Sequence, residues 1–257
     1  MTLTDISALG PADRPDAQAT IKAVLFDLDD TLWPIVPVIQ RAEQLLYDWL
    51  QQHAPAVPRQ FTIEDLRQQR LELSASNPVF KFDLWKLRHA ALCEAFSSVG
   101  EDVGKVDAAM EIFSEARHAV TPFEDVQPVL TRLRQRVLLG SVSNGFADLD
   151  KIGLAQHFHA SIAAHSFGCG KPDPAIFHAA CAALNVTPEQ AVFVGDDPLL
   201  DVVGAQQAGL RAVWINRFER VLPAGINAHA TCTTLHELET WLGQTANLGI
   251  SDIKNSV

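Results

Sequence analysis

The stretch IKAVLFDLDDTLW, from Ile21 to Trp33, joins an apolar run to a cluster of acidic side chains. The run Ala23 to Phe26 has strand character, and Asp27, Asp29 and Asp30 follow it directly. In parallel sheets ligands bind at the carboxyl ends of the strands, and residues at positions i and i+2, such as Asp27 and Asp29, can face the same side. Two carboxylates held this close repel each other unless a cation or a proton intervenes. We therefore expect a ligand site at the end of this strand.

The composition indicates a folded, acidic protein. Its 257 residues are 47% hydrophobic, which suffices for one large domain or two modest ones. The formal net charge of -11 argues against a nucleic-acid or anionic-membrane partner, because there is no basic surplus to neutralise phosphates. Four cysteines without a CxxC pair indicate reduced thiols rather than a zinc site or disulfides. Residues 1–20 lack the apolar segment of a secretion signal, and no run reaches transmembrane length, so we expect a cytoplasmic location.

Between Val36 and Val120 the sequence has the pattern of helices. Apolar residues recur at three- to four-residue spacing, as at Ile39, Ala42 and Leu46, and we find no convincing strand. Prolines divide this block into separate segments. The predicted helices cover residues 36–52, 62–74, 80–98 and 104–118, which is enough for a small antiparallel bundle.

From residue 121 onward, short apolar runs alternate with helical segments. The predicted strands cover 137–142, 162–164, 191–194 and 212–215, and the predicted helices cover 125–135, 174–184 and 199–208. This alternation indicates a doubly wound parallel sheet, to which the first strand at 22–26 also belongs. We therefore predict an α/β fold with a Rossmann-like core formed by residues 1–34 and 121–257. The all-helical block at 35–120 is predicted to be a cap domain inserted into that core.

Polar residues gather at the ends of the predicted strands. They are Asp27, Asp29 and Asp30 after the first strand, Ser143 and Asn144 after the second, and Asp196, Asp197 and Asp201 near the end of a later one, with Lys171 in the loop 168–172. In a parallel sheet these ends converge on one crevice. Up to six carboxylates and one lysine require a divalent cation to neutralise them. Because the candidate ligands are all oxygen atoms, we expect Mg2+.

Four groups of residues also match known signatures in order and spacing. They are DxDxT at Asp27 to Thr31, an apolar run ending in Ser143-Asn144, Lys171-Pro172, and GDxxxxD at Gly195 to Asp201. On these motifs the chain resembles the haloacid dehalogenase superfamily from Ile21 to about Arg217, and the helical insert looks like the type-1 cap of that superfamily. Details outside the signatures are similar to its flavin mononucleotide and sugar-phosphate phosphatases.

The resemblance implies covalent catalysis at phosphorus. Asp27 would be the nucleophile and form an aspartyl-phosphate, since a carboxylate is competent for this reaction. Asp29 would protonate the leaving alcohol and then deprotonate the hydrolytic water. That role requires Asp29 to be neutral at first, which the neighbouring negative charges favour. Lys171 would neutralise charge on the nucleophile and on the phosphoryl group.

The resemblance also implies which residues bind the metal ion and the phosphate. Mg2+ would be held by Asp27, the backbone carbonyl of Asp29, and Asp196, with Asp201 as a direct or water-mediated support. The implied phosphate-binding residues are Thr31, Ser143, Asn144 and Lys171. For Asp30 a turn or helix-capping role is expected, and for Asp197 both a contact with the site and a supporting role stay open.

The expected function is therefore Mg2+-dependent hydrolysis of a small phosphorylated metabolite, such as flavin mononucleotide or a sugar phosphate. The dehalogenases of the superfamily lack an aspartate at the position of Asp29, because a halide leaving group needs no proton. Three alternatives stay open: a phosphomutase, which needs a bisphosphate activator; a phosphonate hydrolase, which needs a cap lysine that forms a Schiff base; and a regulatory protein without activity. In the insert, Arg88 is a candidate residue for substrate specificity.

Overall fold

A computed structural model of the chain describes residues 20–245, and within this range the centre is a sheet of six parallel strands. The strands are β1 (Ala23–Phe26), β2 (Leu138–Ser143), β3 (Ala160–Ala163), β4 (Ala191–Gly195), β5 (Arg211–Ile215) and β6 (Ala230–Cys232). Their order is β3-β2-β1-β4-β5-β6, so the direction in which strands are added reverses beside β1. In open α/β sheets such a reversal opens a ligand-binding crevice at the carboxyl ends of the strands.

Helices account for most of the remaining described chain. Between β1 and β2 they are α1 (Ile35–His53), α2 (Ala56–Gln60), α3 (Ile63–Ser76), α4 (Leu84–Ser98), α5 (Val106–His118) and α6 (Val126–Leu133). After β2 they are α7 (Leu149–Ile152), α8 (Ala164–Phe167), α9 (Pro174–Ala183), a π-helical turn (Pro198–Val203), α10 (Gly204–Gln207) and α11 (Leu235–Thr245). From residue 20 to residue 245, no helix has both the length and the apolar composition needed to cross a membrane.

The residues of β1 alternate between the two faces of the sheet. Val24 and Phe26 pack into a hydrophobic cluster with α6 and α11, whereas Ala23 and Leu25 pack into a second cluster with α9 and α10. All four side chains are fully buried. A strand covered on both faces is apolar at every position, which is why it is recognisable as a continuous run. The predicted α/β fold with a doubly wound parallel sheet is confirmed.

The helices α1 to α5 form a hydrophobic cluster of their own, built around residues such as Leu46, Phe96 and Phe113. Helices α1 and α5, the first and last of this group, pack against each other, so the chain leaves the sheet and returns to it along neighbouring helices. The helical content of the insert agrees with a cap. The predicted division at residues 34 and 121 stays a prediction, and the predicted core residues 1–19 and 246–257 lie outside the described residues.

Some element boundaries differ from the prediction for identifiable reasons. The helix predicted from residue 80 begins at Leu84, because Asp83 accepts a hydrogen bond from the backbone N–H of Lys86 and so caps the first turn. The helix predicted at 199–208 is a π-helical turn that continues into α10. Strand β6 and helix α11 were not predicted. β6 has only three residues, but the buried leucines 235, 238 and 242 of α11 do follow helical spacing.

Candidate active site

Three aspartates form a buried cluster at the carboxyl ends of β1 and β4. Asp27 directly follows β1, Asp196 directly follows β4, and Asp201 lies in the π-helical turn that comes next. One carboxylate oxygen from each residue lies within 4.8 Å of those from the other two, and all three side chains are buried. The two strands are hydrogen-bonded neighbours, with Phe26 paired to Val194, which places their ends side by side. The sheet therefore brings together the three carboxylates that the sequence separates.

Lys171 reaches into this cluster from the loop before α9. Its Nζ donates to Oδ1 of Asp27 at 2.5 Å and to Oδ1 of Asp201 at 2.7 Å, and the side chain is buried. Asn144 holds the loop through two hydrogen bonds. Its side-chain nitrogen donates to the carbonyl oxygen of Lys171 at 2.9 Å, and its side-chain oxygen accepts from the backbone N–H of Lys171 at 2.8 Å. Asn144 therefore has a positioning contact with the lysine that the sequence analysis did not anticipate.

The electrostatics of the cluster are unfavourable without a further cation. Burial raises the pKa of Asp27 to about 6, although Lys171 opposes the rise. Burial, followed by the charge of Asp201, raises the pKa of Asp196 to about 6, and burial raises that of Asp201 to about 6. Burial lowers the pKa of Lys171, but Asp201 and Asp27 outweigh it and the net pKa is raised. Lys171 pairs with only two of the three carboxylates, and an oxygen-only set of this kind fits Mg2+.

The predicted phosphate-binding residues Thr31 and Ser143 lie at the same edge of the sheet. The hydroxyl of Thr31 is 3.3 Å from Oδ2 of Asp27 and 3.5 Å from Oδ1 of Asp196. The hydroxyl oxygen of Ser143, at the end of β2, accepts from the N–H of Gly145 at 2.9 Å, so its proton is available to another acceptor. A Cβ at Gly145 would lie 2.9 Å from Oδ2 of Asp29, which explains the need for glycine at this close approach.

Asp29 faces the helical insert rather than the buried cluster. Trp33 Nε1 donates to its Oδ1 at 2.8 Å, and Nη2 of Arg117 donates to Oδ1 and Oδ2 at 2.6 and 2.7 Å. Arg117 belongs to the last turn of α5, and its side chain is buried. Arg117 occupies both oxygens of the Asp29 carboxylate, so this contact must open before the carboxyl can reach a leaving group. The predicted backbone contact of Asp29 with a metal ion stays a prediction.

An arginine outside the insert contacts the cluster through Asp196. Nη2 of Arg220, in the loop after β5, donates to Oδ2 of Asp196 at 2.7 Å and to its carbonyl oxygen at 3.0 Å. The sequence analysis missed both Arg117 and Arg220. Their positions in the sequence could have indicated them. Arg220 follows the carboxyl end of a parallel strand, and Arg117 lies in the last turn of the final predicted helix of the insert.

Two of the six aspartates cap helices. Oδ1 of Asp30 accepts from the N–H of Ile35 at 2.8 Å, at the start of α1, and Asp30 has a left-handed φ of 59°. Oδ1 of Asp197 accepts from the N–H groups of Leu199 and Leu200 at 2.8 and 2.9 Å. These contacts agree with the cap role expected for Asp30 and give Asp197 a supporting role in the turn that carries Asp201.

Arg88 lies apart from the three buried aspartates. It lines a cavity of about 210 Å³ between the insert and the core, together with Asp29 and Arg117. Its guanidinium lies 3.6 Å above the ring centre of Phe113 and contacts Glu43. The structure therefore brings Asp27, Asp196, Asp201 and Lys171 into one cluster with Thr31 against it, whereas Arg88 and Asp29 line the cavity between the insert and the core.

The fold and the site define a class of protein: an α/β fold with buried aspartates and a lysine at the carboxyl ends of its parallel strands. A family model described as haloacid dehalogenase-like hydrolase matches residues 21–209, and the chain belongs to this family. It is similar to 5-amino-6-(5-phospho-D-ribitylamino)uracil phosphatase of Escherichia coli, with 33% identity over 199 residues, 76% of this chain and 83% of the relative. It is also similar to phosphoserine phosphatase of Thermus thermophilus, with 31% identity over 227 residues, 77% of this chain and 89% of the relative.

A solved structure from the same family is also similar. A crystal structure described as 2-haloacid dehalogenase from Pseudomonas syringae has a TM-score of 0.82 and 39% identity, and covers 88% of this chain and 100% of the other. The family match and the phosphatase relatives confirm the resemblance and the predicted enzyme class, a phosphoric monoester hydrolase.

Proposed function

We propose that this protein hydrolyses a small phosphate monoester through a covalent intermediate on Asp27 and uses Mg2+ as its cofactor. The observation that carries the proposal is the buried contact between Asp27 and Lys171 within the cluster of Asp27, Asp196 and Asp201. A carboxylate at the end of a central strand, with a cation beside it, can attack a phosphoryl group while the developing charge is neutralised. The three carboxylates would hold the metal ion, and bound Mg2+ supplies positive charge that offsets the charge of the phosphoryl oxygens.

The reaction divides into two displacements at phosphorus. An oxygen of Asp27 forms a bond to phosphorus while the bond from phosphorus to the ester oxygen breaks, and the departing alcohol takes a proton from Asp29. Asp29 then removes a proton from water, whose oxygen attacks the phosphorus of the aspartyl-phosphate. The bond between phosphorus and Asp27 breaks, which releases inorganic phosphate and restores the carboxylate. Lys171 would neutralise charge on the phosphoryl oxygens, and Ser143 and the backbone N–H of Asn144 would orient them.

The proton transfers require Asp29 to leave Arg117. In this arrangement the guanidinium occupies both oxygens of the Asp29 carboxylate. Arg117 lies on α5 of the helical insert, whereas Asp29 lies on the core, so a shift of the insert on substrate binding would separate the two. Lids of this kind exclude water and complete the catalytic arrangement in many enzymes. We propose that the insert acts as such a lid.

Phosphate release from a panel of esters tests the proposal. The panel contains flavin mononucleotide, nucleotides, sugar phosphates and phosphorylated amino and hydroxy acids, each with Mg2+ and with EDTA. We expect Mg2+-dependent release of phosphate from some of these esters and from p-nitrophenyl phosphate. If no ester is hydrolysed, the proposal fails. The named relatives, which are phosphatases, support this choice of panel.

A dehalogenase is the second candidate, because the crystal structure with 39% identity is described as a 2-haloacid dehalogenase. Asp29 favours phosphate chemistry, since an alcohol leaving group needs a proton and a halide does not. We expect no chloride release from 2-chloropropionate under conditions in which phosphate esters are hydrolysed. Chloride release without phosphatase activity would reverse the assignment.

The other two catalytic alternatives have their own tests. A phosphonate hydrolase needs a lysine in the cap, yet the cavity between insert and core has no lysine among its described lining residues. Lys86 of the insert is instead 63% exposed and pairs with Asp83. We expect borohydride to trap no Schiff base and a bisphosphate activator to produce no isomerisation. Isomerisation would identify a phosphomutase.

Mg2+ is expected to stabilise the protein more strongly as the pH rises. The pKa values of Asp27, Asp196 and Asp201 rise from 3.8 to about 6 on folding. The folded state therefore binds protons on these three carboxyls more tightly than the unfolded state does. The stability contributed by the bound protons is present below about pH 4 and is lost as the pH rises through 6. A metal ion can replace the lost protons. The measurement is the melting temperature with Mg2+ minus that with EDTA, which should increase from pH 5 to pH 7.5. A constant difference would contradict the prediction.

Arg220→Met is expected to lower the Mg2+ concentration needed for half-maximal activity. The guanidinium lies 2.7 Å from Oδ2 of Asp196, where it repels a second cation. Its side chain is 41% exposed, so solvent screening limits the effect to about 1 kcal/mol, or about 3- to 10-fold. Arg132→Met is the control, because Arg132 is 45% exposed and pairs with Glu239 away from the site. A higher Mg2+ requirement in Arg220→Met would indicate that Arg220 positions Asp196 instead.

A further inference from the structure

The cavity between the insert and the core has an excess of positive charge. Its volume is about 210 Å³, and its charged lining residues are Arg70, Arg88, Arg117 and Asp29. Most of the remaining wall is apolar and includes Phe113 and Phe146. Cavities of about 150 Å³ can hold a molecule of the size of benzene, so this one has room for a small substrate group. The side chains of three arginines and one aspartate therefore contribute to a mostly apolar wall.

Three arginines of the insert share a single buried carboxylate. Glu43 is 4% exposed and pairs with Arg67, Arg70 and Arg88. Arg67 contacts it at 2.6 Å, and Arg70 is also in close contact. The shortest distance from Arg88 to Glu43 is 3.3 Å. This is longer than the roughly 2.7–2.9 Å usual for charge-assisted hydrogen bonds. The contacts of Arg88 with Glu43, at 3.3 and 3.4 Å, are therefore weaker than those of the other two arginines.

One hydrogen-bond donor of Arg117 is unused in the described part of the chain. Its side chain is buried, Nη2 is bound to Asp29, and Nη1 has no hydrogen-bond partner within the described part of the chain. Burial, followed by the charge of Arg70, lowers the pKa of Arg88 to about 9, and burial also lowers that of Arg70. Buried cations with spare donors are costly unless an anion compensates them. These observations point to an anionic ligand in the cavity.

We propose that this cavity binds a carboxylate carried by the substrate at the end opposite its phosphate. The inference rests on the proposed function and names its substrate class: short phosphate monoesters of carboxylic acids. Asp29 links the two sites, because it lines the cavity and follows Asp27 by two residues. Two extended residues span at most about 7 Å, so one wall of the cavity lies close to Asp27, which favours a short substrate. A planar guanidinium matches a carboxylate in shape and charge.

Matched substrate pairs test the proposal on the intact protein. O-phospho-L-serine is compared with O-phosphoethanolamine, and 3-phosphoglycerate with glycerol 3-phosphate, because each pair differs at the carboxylate position. We expect kcat/KM to be about 10- to 100-fold higher for the carboxylate member, as a buried charge-assisted contact implies. In Arg88→Met this ratio is expected to fall about 10-fold or more, mainly through a higher KM for the carboxylate member. Glu43 keeps Arg67 and Arg70 in that variant, so it should still fold.

Arg67→Met is the matched control. Arg67 also pairs with Glu43, but its side chain is 37% exposed and it does not line the cavity. It should retain the wild-type substrate preference, although the loss of a contact with the buried Glu43 is expected to lower its melting temperature. Equal kcat/KM within the pairs, or an equal loss of preference in Arg67→Met and Arg88→Met, would overturn the inference while the proposed function stands.

Calorimetric binding separates the two proposals if no ester is hydrolysed. In that case the proposed function fails, but 3-phosphoglycerate and glycerol 3-phosphate can still be titrated into the wild-type protein and Arg88→Met. Tighter binding of 3-phosphoglycerate to the wild-type protein, lost in Arg88→Met, would support the anion site. Equal binding of the two compounds would overturn it.

Discussion

Asp27→Asn is expected to lower kcat for p-nitrophenyl phosphate by at least about 10^4-fold, which is the scale found when an enzyme loses its nucleophile. An amide has nearly the size of a carboxylate but is a much poorer nucleophile. Lys171 keeps Asp201 as a partner at 2.7 Å, so the lysine does not become an unpaired buried charge. The fold should therefore persist, and the loss should appear in kcat. Steady-state kinetics and a melting curve of the same preparation measure both quantities.

Asp197→Asn is the control for this experiment. Asp197 lies next to Asp196 in sequence, but its carboxylate accepts from the N–H groups of Leu199 and Leu200. Asparagine caps a helix about as well as aspartate does, so activity should stay within a few-fold of wild type. Turnover in Asp27→Asn comparable to that of Asp197→Asn would remove the nucleophile from the proposed mechanism.

Lys171→Met is expected to destabilise the protein by about 3–5 kcal/mol at pH 8 in EDTA, because removing one partner of a buried ion pair leaves uncompensated charge. The lysine is 6% exposed and pairs with both Asp27 and Asp201. The pKa values of these two carboxyls are already raised to about 6, and loss of the lysine raises them further. When folding raises the pKa of a carboxyl, the folded protein loses stability as the pH increases through that pKa. The loss of stability caused by Lys171→Met should therefore be smaller at pH 5 than at pH 8.

Urea unfolding of Lys171→Met at the two pH values measures the penalty. Lys86→Met is the matched control, since Lys86 is 63% exposed and its pair with Asp83 should change stability by no more than about 1 kcal/mol. Phosphatase activity should be lost in Lys171→Met and retained in Lys86→Met. A penalty for Lys171→Met that is equal at pH 5 and pH 8 would show that packing, not charge, is the main contribution of the lysine.

The fold was predictable where burial leaves a periodic pattern. Strands β1, β4 and β5 are apolar because helices cover both faces of the sheet, and the long helices of the insert repeat apolar residues every three to four positions. Short elements at the edge lack such a pattern. Strand β6 has three residues and an exposed threonine at its centre, so nothing in its composition separates it from a loop.

The candidate site was predictable only in part. The DxDxT spacing, the lysine loop and the GDxxxxD motif named residues that the sheet does bring together, with Asp27, Lys171 and Asp201 in direct contact. The arginine contacts were not visible. Arg117 is 88 residues from Asp29 in sequence, and Arg220 is 24 residues from Asp196. No local spacing relates such pairs, because they meet through the packing of separate elements.

Local patterns were sufficient to predict the central strand that precedes Asp27, the helical insert that follows, and the class of chemistry that four short motifs imply. These are local properties, since side-chain alternation and motif spacing are set by the backbone of one segment. The tertiary structure adds what each aspartate contacts: Asp27 binds Lys171 in the buried cluster, Asp29 faces Arg117, and Asp30 accepts from the first N–H of α1. The physical reason is that charge and burial at each carboxylate depend on what the rest of the chain packs against it.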